Sequence, residues 1–142
     1  MFYGSVPAEA QAIMNKIVKA WDVSDVYVGC SGNFTLEKFI GPLNKFRLHS
    51  NDVTMYSLCL GAHFMREHVP LELSEEGEAM FPWLPEYMKT DVDRLATMLL
   101  CSRIVAYTDK GDNPYYKMTL EESVRQFPAM HEKTVAKVSS NT

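Results

Sequence analysis

The sequence predicts an α/β fold that begins with parallel strands. Three observations carry this. Residues 26–28 and 46–49 read as short apolar strands with turn residues beside them. A helix pattern at 35–40 lies between the two strands, and others precede the first and follow the second. The resulting order, helix–strand–helix–strand–helix, is that of a parallel sheet with crossover helices. Two strands are too few for a complete sheet, so the expected fold is the front half of one with a helical C-terminal part.

The first helix is expected over residues 7–21, "PAEAQAIMNKIVKAW". Ser5 is a candidate cap, Pro7 suits a first turn, and Glu9 favours the positive end of the helix dipole. Ile13, Ile17 and Trp21 recur every four residues beside Met14 and Val18, an amphipathic pattern. The second helix is "TLEKFI", with Thr35 as candidate cap and Gly41-Pro42 as stop. Asp52 is a candidate cap for a helix over 53–66, whose apolar residues are dense enough for a well-buried element.

Residues 69–89 carry three prolines, an acidic cluster and the aromatic residues Phe81, Trp83 and Tyr87. They read as irregular chain with short helical pieces, opening a helical insertion of about 69–107. "MFPWLPEYM" is either a partner contact or a cover for the core. A strong helix pattern spans 90–107, with Thr90 or Asp91 as cap and Leu95, Leu99 and Val105 facing inward. Residues 110–116 read as a loop. A last helix is expected over 119–138, with Thr119 and Glu122 as a capping box and Pro128 as a kink.

At 142 residues the chain has the size of one domain, and its 46% apolar residues suffice for a core. The formal charge of −4 provides no overall basic field for a phosphate backbone. A nucleic-acid partner would need a local basic patch or a second chain. The three cysteines, Cys30, Cys59 and Cys101, are far apart in sequence and read as reduced thiols rather than a disulfide framework. His63 and His68 lack the spacing of a shared metal, and no metal site is read. There is no secretory signal, and the apolar tract near Ala96 and Leu100 falls far short of the ~20 residues of a membrane span. A cytoplasmic protein is expected.

The densest functional signal is "DVYVGCSGNF", where an apolar strand runs into Gly29-Cys30-Ser31-Gly32. Ligands of open α/β sheets bind beyond the carboxyl ends of the strands. Glycine there permits tight turns and close approach of a ligand. The second strand ends in "HSNDV", which places Asp52 20 residues after Gly32. An acidic side chain at such an offset accepts hydrogen bonds from a ribose diol. Asp52 can equally be only a helix cap, and the glycines only a plain turn. The whole block favours a nucleoside cofactor. The missing third glycine favours S-adenosylmethionine over a dinucleotide.

"DVYVGCSGNFTLEKF" followed by "FRLHSNDVTMYSLCLG" resembles the Dam-like class I S-adenosylmethionine-dependent DNA adenine methyltransferases. It is most similar to their antirestriction adenine methyltransferase family, which includes phage proteins. The resemblance covers most of the chain and is densest over 25–61. It implies a Rossmann-like class I methyltransferase fold with S-adenosylmethionine as cofactor. By that likeness Gly29, Cys30, Ser31, Gly32, Asn33 and Phe34 form the first cofactor motif, Asp52 is the ribose ligand, and Val53 lies near the adenine. "FYGS" at 2–5 matches an N-terminal segment that helps hold the methionine part, which brings in Tyr3.

Amino-methyltransferases of this class also carry an Asp/Asn-Pro-Pro-Tyr/Phe motif that handles a flipped base. No such motif is found. Asp112-Asn113-Pro114-Tyr115-Tyr116 offers an amide, one proline and an aromatic, but a charged loop separates it from the preceding apolar run. It reads as an ordinary turn, with Asn113 and Tyr115 as the catalytic alternative. No catalytic residue is therefore assigned, and the chain is expected to stop before the catalytic strand. An unfinished parallel sheet predicts a homodimer or a second chain that completes it. Three functions remain in contention. One is a cofactor-binding part of a DNA adenine N6-methyltransferase. The second is a non-enzymatic protein that blocks or joins a host defence or modification complex. The third is a structural module without a ligand.

Overall fold

Two parallel strands, β1 (Asp25–Gly29) and β2 (Arg47–Asn51), pair in register from Asp25 opposite Arg47 to Gly29 opposite Asn51. They belong to a computed structural model that describes residues 7–108 and 110–140. Tyr3 and the candidate cap Ser5 lie outside the described residues. The chain forms two compact units, Met1–Leu58 and Cys59–Thr142. The architecture is mixed α/β and mostly helical, and among the described residues its sheet has these two strands alone.

In the first unit, α1 (Ala8–Ala20) precedes β1, and α2 (Thr35–Ile40) with a 3₁₀ turn (Gly41–Leu43) links β1 to β2. The strands alternate as the pleat requires. Val26 and Val28 are buried, while Tyr27 between them is 76% exposed. Tyr27 stacks on His49, its register partner, with ring centroids 4.4 Å apart. Asp25 Oδ1 accepts from His49 Nε2 at 2.8 Å and lies 3.7 Å from Arg47. The outward face is thus polar and aromatic, unlike the apolar faces of a fully covered parallel sheet.

Both ends of α1 follow from local chemistry. Pro7 sits at the cap position, and its carbonyl accepts from the Gln11 N–H. At the other end Lys45 Nζ donates to the carbonyls of Lys19 and Trp21, groups a helix end leaves without partners. The apolar pattern of α1 is only partly covered. Val18 is buried, but Ile13 is 60% and Ile17 51% exposed. The four-residue spacing identifies an apolar stripe without saying what covers it. At α2 the cap position falls on Phe34, one residue before the expected Thr35.

The second unit contains most of α3 (Met55–Met65), then α4 (Glu75–Met80), a 3₁₀ turn (Leu84–Tyr87), α5 (Asp91–Thr108) and α6 (Pro114–Ser139). α3 is less buried than its composition predicts. Cys59 is inside, whereas Met65 is exposed. The segment 69–89 does contain short helical pieces, and Ser74 caps α4 by accepting from Gly77 N–H at 3.1 Å. "MFPWLPEYM" covers core: Trp83, Leu84 and Tyr87 pack with Leu100, Ile104 and Phe127. A second cluster joins Cys59, Val69 and Leu95.

Thr90 is the cap of α5. Its Oγ1 accepts from Asp93 N–H at 3.1 Å, and Asp93 Oδ2 accepts from Thr90 N–H at 3.0 Å. Leu95 faces inward as expected, but Val105 is 58% exposed and Ile104 is buried in its place. α6 packs against α5 and begins five residues earlier than expected, at Pro114 rather than Thr119. Thr119 and Glu122 therefore lie within the helix instead of capping it. Thr119 Oγ1 donates to Tyr115 O, and Glu122 pairs with Arg125. The helix continues through Pro128. Among the described residues no helix is long and apolar enough to cross a membrane.

Candidate functional site

The predicted loop lies directly beyond the carboxyl end of β1. Cys30 (φ 56°), Gly32 (φ 53°) and Phe34 (φ 58°) all take left-handed backbone conformations. Glycine tolerates this freely, so Gly32 is well chosen. For Cys30 and Phe34 it costs on the order of 1–2 kcal/mol each. At Gly29 an added Cβ would meet nothing within 4 Å, so the backbone there faces open space.

Hydrogen bonds hold this strained loop in shape. Ser31 is buried, donates its N–H to Asn51 O at 3.0 Å and accepts from Phe34 N–H at 2.8 Å through its carbonyl. Asn33 Oδ1 accepts from Tyr56 OH at 2.7 Å. Gly32 N–H donates to Asp52 Oδ2 at 2.8 Å. The Gly32 carbonyl accepts from Ser57 Oγ at 2.9 Å.

Asp52 therefore sits where the sequence predicts, at the end of β2 and against the glycine loop. It is not the direct cap of α3. That role falls to Thr54, whose Oγ1 accepts from Ser57 N–H at 3.2 Å. Asp52 supports Thr54 from behind, with Oδ1 accepting from Thr54 N–H and Oγ1–H, each at 2.9 Å. Thr54 Oγ1 is also 2.9 Å from Ser57 Oγ, and its one proton serves either neighbour. The N–H of Gly32, then the N–H and hydroxyl of Thr54, lower the Asp52 pKa from 3.8 to about 2. Asp52 is an anion at neutral pH.

Thus the structure brings Gly32 and Asp52 into one hydrogen-bonded network, with the Asn33–Tyr56 bond beside it. Gly29 and Cys30 form its open side, and Val53 beside Asp52 is 97% exposed. Thr54 and Ser57 belong to the same network, Tyr56 holds Asn33 beside it, and none of the three was singled out in the sequence. Their signal is the run Asp52-Val-Thr54-Met-Tyr56-Ser57, in which an Asp two before a Thr, and a Ser three after it, match an Asx turn feeding a helix cap.

Asn113 and Tyr115, the catalytic alternative, lie in the second unit. Asn113 Oδ1 accepts from Tyr115 N–H at 3.0 Å, so the amide caps α6 and Pro114 fills its first position. A helix start, rather than an isolated turn, accounts for the motif.

The family model described as phage DNA adenine methylase-like domain 1 matches residues 2–142. No curated protein and no solved structure matches the chain.

Proposed function

Because the chain belongs to the family of phage DNA adenine methylase-like domains, we propose that residues 29–34 and Asp52 seat S-adenosylmethionine for a DNA adenine N6-methylation system. Membership in a methylase-like family implies use of that cofactor in general. The observation that carries the assignment to this loop is the Gly32–Asp52 hydrogen bond. It joins a glycine turn and an anionic side chain at the carboxyl ends of two parallel strands, where ligands of such sheets bind. The Rossmann-like class I arrangement is part of the same proposal, supported by the β1–α2–β2 order with parallel pairing.

The residues present fit the cofactor. The open space at Gly29 leaves room for close approach. A carboxylate has about four acceptor positions, and Gly32 N–H with the two Thr54 groups occupies at most three on Asp52. Asp52 would accept from the ribose hydroxyls, and the exposed Val53 side chain would lie against the adenine. When bound, S-adenosylmethionine supplies an electrophilic methyl group. The residues identified here bind and orient; none is assigned to handling the adenine amine. The antirestriction setting rests on the sequence resemblance over 25–61.

The test is calorimetric titration of S-adenosylmethionine into the wild type and Asp52→Ala. The proposal expects binding that the substitution abolishes. A wild type that binds nothing defeats it. Methyl transfer to DNA, with and without candidate partner chains, then asks whether the chain is part of an enzyme.

A second reading, assembly with another chain, is favoured by the exposed Ile13 and Ile17 on α1. Light scattering tests it. A monomer at all concentrations would exclude a homodimer, while a mass that falls on Ile17→Glu would assign the contact to α1.

A further inference from the structure

Gly32 is held from both sides, and the two holds differ in access. Asp52 takes its N–H from a half-buried position at the loop. Ser57, only 1% exposed, takes its carbonyl from within. Ser57 is itself fixed at two points, since its N–H donates to Thr54 Oγ1 and its Oγ lies 2.9 Å from the same atom.

This asymmetry has a consequence for ligand uptake, on the cofactor reading above. A diol brings two donors, but Asp52 has about one acceptor position left. While the Thr54 hydroxyl stays on Oδ1, accepting both ligand hydroxyls requires the carboxylate to release a donor it now holds. Oδ1 braces Thr54, which caps α3, so release there would loosen the support of a helix start. Release of Gly32 N–H by Oδ2 disturbs only the loop. Between Cys30 and Phe34, both in left-handed conformations, a Gly32 freed at both ends would let the strained loop relax.

We infer that Ser57 is a positioning residue for the cofactor. It keeps Gly32 in place through its carbonyl while Asp52 exchanges the Gly32 N–H for a ligand hydroxyl. Ser57 acts through the loop and does not touch the ligand. The burial of its side chain shields that hold from water and ligand, so the bond to half-buried Asp52 exchanges first and the one to Ser57 persists.

The experiment has two arms, both on the full chain. The first is amide hydrogen exchange at Gly32 without ligand, in the wild type and Ser57→Ala. The second is S-adenosylmethionine titration of wild type, Ser57→Ala and Ser57→Thr, each under conditions where circular dichroism shows it folded. Ser57→Ala is expected to speed Gly32 exchange and to weaken binding roughly two- to tenfold, the span of one lost hydrogen bond. Ser57→Thr, which keeps the hydroxyl, should recover most of the affinity. If Ser57→Ala does not fold, Ser57→Cys, a similar shape with a weak donor, replaces it. A folded Ser57→Ala that binds like the wild type, or Gly32 exchange indifferent to the substitution, overturns the Ser57 assignment alone. A wild type that takes up no S-adenosylmethionine overturns the cofactor reading and the exchange with it.

Discussion

Asp52 Oδ2 accepts the backbone N–H of Gly32 at 2.8 Å, across a sequence separation of 20 residues. One bond thereby fastens the end of β2 to the turn after β1. Hydrogen bonds to a charged group are worth about 1.5–3 kcal/mol. Asp52→Asn keeps one carbonyl oxygen and loses the charge. We expect it to bind S-adenosylmethionine about 10–100-fold more weakly than the wild type, with Asp52→Ala weaker still. Calorimetry on the three proteins checks the order; equal affinity for wild type and Asp52→Asn would remove charge from the account.

The same carboxylate predicts an acid transition. Asp52 has a folded pKa of about 2 against an ordinary 3.8, because Gly32 N–H and Thr54 favour the anion. A depressed carboxylate stabilises the fold above its unfolded pKa, and that contribution disappears as pH falls through the folded value. Asp91, lowered first by the Val69 N–H, and Asp25, lowered first by the Ser24 hydroxyl, act with the same sign. Thermal stability should therefore fall as pH drops from about 5 to about 2. Asp52→Asn should fall less steeply over that interval than the wild type.

Thiol chemistry offers a direct view of the loop. Cys30 is exposed, whereas Cys59 is buried and burial raises the Cys101 pKa to about 11. The reactive species is the thiolate. An aromatic disulfide reagent at pH 8 should label Cys30 quickly, and the other two only after denaturation. S-adenosylmethionine bound at the loop should slow Cys30 labelling. Labelling that is unchanged at saturating cofactor would place the ligand elsewhere.

Stability should track the core as observed rather than as the spacing predicts. Leu95 is 0% exposed, and Leu95→Ala should cost about 2–5 kcal/mol. Val105→Ala, on the solvent side of α5, should change stability by less than about 0.5 kcal/mol. Asn113→Ala removes the α6 cap and should cost about 0.5–2 kcal/mol, with cofactor affinity unaltered. Urea melts read the first three effects. A selective loss of affinity in Asn113→Ala would reopen its role as a ligand contact.

What could be read from the sequence depended on how local the determinant was. α2 falls at 35–40 as expected, since Gly41-Pro42 stops it within its own neighbourhood. Thr90 caps α5 because its partner Asp93 is three residues away. Of the amphipathic pattern on α1, Val18 is buried while Ile13 and Ile17 are exposed, because burial depends on what packs against each residue. Val105 gave way to Ile104 because small errors in phase accumulate along an 18-residue helix. Asn113-Pro114 marks a turn or a helix start equally well, so the beginning of α6 was missed. Asp52 was legible by its offset from Gly32. Ser57 was not, because its partner lies 25 residues away and the contact exists only once the strands are paired.

Lys45 carries a consequence of a different kind. Its ammonium group reaches the carbonyls of Lys19 and Trp21 at the end of α1. It is at once a cation at the negative pole of a helix and a clip between chain segments on either side of β1. Acetylating that amine would neutralise the pole and shorten the supply of donors in one step. A modification aimed at a single exposed side chain would thus register as fraying of a helix more than twenty residues upstream.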